Sequence, residues 1–151
     1  MGQQQLLLLV LGIVIVGLAV VVGIQAFSEN QAKANADAMV NDVIRIASDA
    51  QAWKLKPQAF GGGAAETGFN NVSLAQLGYT TGDNDYTAHT AGDDDFENLN
   101  GVFTLTAGDD LTIVGVSYDS DDAVVNTVTT IVTGTTPGDI TTTIESGAAA
   151  A

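Results

Sequence analysis

The chain has 151 residues, enough for one globular domain, and carries a formal net charge of −14 with no cysteine. All four basic residues (Lys33, Arg45, Lys54, Lys56) precede Pro57, whereas fourteen of the eighteen acids follow it. The C-terminal two thirds is therefore a purely acidic surface, which repels nucleic acid and anionic membranes and argues against nucleic-acid binding, and no disulfide is available to brace it.

In chain order the first element is an apolar run. Leu6 to Ile24 is nineteen residues of Leu, Val, Ile, Ala and Gly only. It has no polar face, so it is not the surface helix of a soluble domain. From about Gln3 to Lys56 no proline interrupts the chain, and good helix formers follow the apolar run. One continuous helix is predicted, about 80 Å long at 1.5 Å per residue. Its second half is amphipathic. Ala36, Met39, Val40, Val43, Ala47, Ala50 and Trp53 recur at steps of three and four, a single apolar stripe. Asn30, Lys33, Asn35, Asp42, Arg45, Ser48, Asp49 and Gln51 fill the remaining faces.

Pro57 ends the helix, and Phe60-Gly61-Gly62-Gly63 reads as a flexible turn. Ser73 to Leu77 is expected to form a short helical turn closed by Gly78. Thr80 to Asn100, rich in Gly, Asp, Asn and Thr, reads as a long surface loop. Four strands are then expected: Val102–Thr106, Leu111–Tyr118, Ala123–Thr133 and Asp139–Glu145. The segments between them carry turn chemistry and are short, which favours antiparallel neighbours. Leu111, Ile113 and the partly alternating Val124, Val128 and Thr130 suggest one buried face. Met39, Val43, Ala47, Ala50 and Trp53 are its natural cover. The expected class is α+β: a helix over 1–56, with a membrane or polymer core at 6–24, and an acidic β-rich head over 57–151.

Four readings compete for the apolar run. A secretory signal peptide requires a basic n-region, and no Lys or Arg precedes Lys33. A simple membrane anchor fits the length. A buried core helix would need more apolar sequence elsewhere than the chain has. A helix that sits first in a membrane and later in a polymer core accounts for both the all-round apolarity and the amphipathic extension.

Met1-Gly2-Gln3-Gln4-Gln5-Leu6, running on through Gly12 to Gly23-Ile-Gln-Ala-Phe27 and an Asn/Asp/Ala-rich amphipathic helix, resembles the type IV pilin and pseudopilin family. It is similar in particular to bacterial pilin-like sequences with a Gly-Gln-Gln-Gln-Leu-Leu segment, and Gly61-Gly-Gly63 after Pro57 fits that subset. The resemblance covers the N-terminal third by motif and the head by architecture. It implies insertion in the cytoplasmic membrane, cleavage by a prepilin peptidase between Gly2 and Gln3 or a mature start at Met1, and use of the pilus assembly machinery. It further implies a homo-oligomeric extracellular filament whose core holds Leu6, Leu9, Ile13, Val16, Val20 and Ile24. The sequence departs from the family where a Glu usually stands at the fifth mature position. Here that position is Gln5 or Leu7, so the usual carboxylate–amine pairing gives way to neutral Gln acceptors. Gly12, Gly17 and Gly23 stand in the apolar segment where many bacterial pilins carry a helix-breaking Pro.

No catalytic site or cofactor emerges. His89 is the one histidine, so every triad using histidine would have to pass through it, and it lies in a Thr/Ala/Gly/Asp stretch. Asp83, Asp85, Asp93, Asp94 and Asp95 offer the hard oxygens that Ca²⁺ takes, but their spacing does not match the twelve-residue calcium loop. A solvated acidic surface is the plainer account. Asn71-Val72-Ser73 is an N-glycosylation sequon, and the Thr cluster from Thr127 to Thr143 suits either strands or O-linked sugar. The expected function is a structural filament subunit. The alternatives are a minor pseudopilin of a secretion system, or a membrane-anchored extracytoplasmic module that binds Ca²⁺.

Overall fold

A computed structural model describes residues 2–80, 95–119 and 123–146. The fold is α+β. Helix α1 (Gly2–Leu55) is followed by a short 3₁₀ turn (Gln58–Phe60) and strands β1 (Asp95–Asn98), β2 (Gly101–Thr106), β3 (Leu111–Tyr118), β4 (Val124–Val132) and β5 (Ile140–Ser146). All neighbours pair antiparallel in the order β1-β2-β3-β4-β5, a meander, as the short connections require. The chain divides into two compact units, residues 1–34 and 35–151, so the amphipathic half of α1 folds with the sheet.

In the second unit one core forms between helix and sheet. Met39, Val43, Ala47, Ala50 and Trp53 are buried in one cluster with Phe103, Leu105, Leu111, Ile113, Val128 and Val132. Ile46 joins them at the (i, i+3) offset from Val43, and Phe69, Val72 and Leu74 from the connecting loop close the side. Each large aliphatic or aromatic side chain fully buried here contributes about 1.5–3 kcal/mol of transfer free energy. Gly115 lies directly across from Phe103, and a Cβ there would sit 2.8 Å from Phe103 Cε1 and 3.2 Å from Met39 Cε. The missing side chain makes room for both residues. Thr130 is buried on the same face, and its hydroxyl pairs with that of Thr142 at 2.8 Å.

Several expectations are corrected. The stretch read as a loop from Thr80 to Asn100 contains strand β1. Phe96 faces Phe103 across the ladder and meets Tyr79 edge-on with ring centroids 4.9 Å apart, so packing overrides an acidic local composition. Gln51, placed on the polar face by its chemistry, is buried. Its Nε2 donates to the carbonyls of Gly134 and Thr136, both at 2.9 Å, which satisfies the amide. Val124 is not on the buried face; it is 45% exposed. Ser117 pairs with Asn126 but Tyr118 pairs with Val124, and this one-residue bulge turns Val124 to the outer face.

The glycine turn uses its glycines in two ways. Gly61 does use the left-handed region, at φ 76°. Gly62 and Gly63 are instead buried where a Cβ would overlap the Lys56 carbonyl oxygen and the Trp53 ring respectively. They serve close approach. The turn at Ser73–Leu77 forms as expected, with Leu77 N–H donating to Ser73 O at 3.2 Å and Gly78 at φ 91°.

Candidate functional site

The first unit is a helix without cover. Leu6 is 65%, Val16 63% and Ile24 65% exposed, and Leu9, Ile13 and Val20 are exposed likewise. This is a helix long and apolar enough to cross a membrane, near the N-terminus, and none of its apolar window is buried within the chain. The segment is helical over its whole length, so its backbone hydrogen bonds close within the segment and need no outside partner. Gly2 and Gln3, the processing candidates, begin α1; Met1 lies outside the described residues. Gly12, Gly17 and Gly23 have nothing within 4 Å of an added Cβ, so no contact among the described residues requires glycine at these positions.

The head presents an asparagine–aspartate clasp that the sequence reading missed. The β1–β2 turn, Asn98-Leu99-Asn100-Gly101, is fastened to the helix. Asp42 Oδ2 accepts from Asn98 Nδ2 at 2.8 Å and Asn100 Nδ2 at 2.7 Å. Asn35 Nδ2 donates to the Asn100 carbonyl at 2.9 Å, and Asn126 Nδ2 donates to Asn35 Oδ1 at 3.3 Å. Asn98 Oδ1 also accepts from the backbone N–H groups of Asn100 (2.8 Å) and Gly101 (3.2 Å). Hydrogen bonds to an ionised acceptor contribute about 1.5–3 kcal/mol each, so the turn is held firmly. The signal in the sequence is Asn98-x-Asn100-Gly101, but its partner Asp42 is far away in the chain. Leu99, at the tip, is fully exposed.

A second cluster ties the loop after the helix to α1. Tyr79 Oη donates to Asp49 Oδ2 at 2.6 Å, and Arg45 lies over the Tyr79 ring at 5.7 Å. Burial, followed by the hydrogen bond to Asp49, pushes the Tyr79 phenol well above its ordinary value.

Of the calcium candidates, Asp83, Asp85, Asp93 and Asp94 lie outside the described residues, as does His89. Asp95 belongs to β1 and faces Thr104. Among the described residues no group of three or more His, Cys, Asp or Glu is placed to hold a metal ion. Asn71 sits at an exposed turn with φ 68°, and its amide donates to Glu66 Oε2 at 3.1 Å. Val72, the middle residue of the sequon, is buried in the core. The strand threonines Thr127, Thr129, Thr141 and Thr143 occupy paired ladder positions. Comparison with family models, curated proteins and solved structures finds no match for this chain.

Proposed function

We propose that the chain is the structural subunit of an extracellular type IV pilus-like filament, held in the cytoplasmic membrane before assembly and polymerised through its apolar helix. The observation that carries this reading is the uncovered apolar segment of α1, continuous in one helix with the stripe that packs a folded head. Such a segment has two stable surroundings, lipid or other apolar helices, and the hydrophobic effect drives it out of water into either. The three glycines support the second. Each costs about 1 kcal/mol of helix stability relative to Ala and returns nothing within the chain, whereas small residues let neighbouring helices approach closely.

Electron microscopy of material sheared from the producing cells, wild type against Val16→Asp, tests the proposal. A lone carboxylate in a dry helical core costs several kcal/mol. The variant is expected to make no filaments while its head stays folded by circular dichroism. Normal filaments from the variant, or none from the wild type, refute the reading. Short tips in the wild type identify a minor pseudopilin instead.

A further inference from the structure

We infer that neighbouring heads are joined end to end, Leu99 of one copy seating on Leu55 and Phe60 of the next while Glu97 of the first faces Lys56 of the second. The inference rests on the filament reading. Leu99 is 101% exposed, yet its turn is among the most firmly tied parts of the head. A fixed backbone under a bare leucine loses little entropy when that side chain is buried by a partner. At the other end of the helix Leu55 is 66% exposed and Phe60, in the turn that follows it, 73%.

The two patches cannot meet within one head. The Leu99 turn is fastened at Asn35 and Asp42, and Leu55 stands twenty residues beyond Asn35 on the same helix, about 30 Å along its axis. Because the patches differ, the contact is heterologous, and repeated it builds an open series of subunits.

Charge is compatible with the same pairing. Acidic heads repel one another, and a cation at the contact relieves that repulsion. Arg45 lies over Tyr79, and Lys54 Nζ donates to the carbonyls of Gly63 and Glu66. Among the described residues of the second unit, Lys56 is the exposed base whose ammonium meets no acceptor, and it adjoins Leu55. Glu97 lies two residues before Leu99. An acid beside the apolar tip therefore answers a base beside the apolar seat. Opposite charges at a contact rim fix its register more than its strength.

The absence of native cysteine makes the test direct. The full chain carrying both Phe60→Cys and Leu99→Cys, in sheared filaments oxidised briefly, should give a ladder of covalent dimers, trimers and higher species on a non-reducing gel. Either single variant should stay monomeric. Both positions are exposed, so the head should fold in each. A dimer from Leu99→Cys alone would mean a tip-to-tip contact and overturn the inference. Filaments that give no ladder overturn it while leaving the filament reading intact; a wild type without filaments overturns both. As a second readout, Lys56→Glu and Glu97→Lys should each lower filament yield several-fold, and the two together should restore it. A double variant no better than either single one removes the charge pairing.

Discussion

The end of α1 offers a double-mutant cycle that separates close packing from flexibility. Trp53 is 7% exposed, and its Nε1 donates to the Gly61 carbonyl at 3.1 Å. Gly63 lies against the same ring, where a Cβ would overlap Cζ3 and Cη2. Trp53→Ala removes a buried aromatic and should cost ~3–5 kcal/mol. In a head of this size that lowers the thermal midpoint by roughly 10–25 °C. Gly63→Ala forces a methyl into a filled space and should cost ~1–3 kcal/mol by overpacking. Gly63 is not in the left-handed region, so the cost comes from the ring alone. With Trp53 already truncated, the added methyl enters the cavity. The second substitution should then be neutral, or stabilising by ~0.4–1 kcal/mol through the reduced freedom of the unfolded chain. The coupling energy expected, the difference between these two costs, is about 1–4 kcal/mol. Scanning calorimetry of the full chain in detergent, following the head transition, measures all three variants. Additive effects, or a Gly63→Ala variant as stable as the wild type, would show that Trp53 does not pack against the turn.

Tyr79 carries a pH prediction. Its folded pKa is raised, so the native state holds a proton that the unfolded chain gives up. The associated stability is complete below the ordinary phenol value of about 10 and is lost as pH rises above it. Tyr79→Phe should flatten this alkaline decline in midpoint, and an unchanged slope would place the titration elsewhere. Gln51→Leu should cost ~1–2 kcal/mol, because a buried amide with two acceptors is replaced and the β4–β5 turn loses its tie. A chemical-denaturation midpoint equal to wild type would mean that water replaces the amide at no cost. Intact filaments should melt higher as NaCl is raised, since fourteen acids after Pro57 bring like charges within a Debye length of about 8–10 Å. Millimolar CaCl₂ matching only its ionic strength would leave a solvated acidic surface, while a larger shift would mean direct binding at the acidic segment.

What the sequence determined by itself rests on short-range regularities. Nineteen apolar residues without a polar face make a segment long and apolar enough to cross a membrane whatever the rest of the chain does, and Pro57 must stop a helix that nothing earlier interrupts. Val, Ile and Thr runs between Gly- and Asp-rich turns make strands, and the turns are too short for anything but an antiparallel meander. Tertiary structure decided the features that depend on residues far apart in the chain. Asp95–Asn98 is a strand because β2 offers it a ladder and Phe103 offers Phe96 a neighbour, although its own composition is that of a loop. Val124 faces outward because a bulge opposite Tyr118 shifts the register by one, and with a period of two that reverses every side chain beyond it. Gln51 is buried because the β4–β5 turn supplies two carbonyls at the distance of its amide. The Asp42 clasp joins a helix residue to a turn more than fifty positions away, and no local periodicity encodes that distance. Periodicity reports which face of an element is apolar; only the packed molecule decides which polar groups on the other faces find a partner.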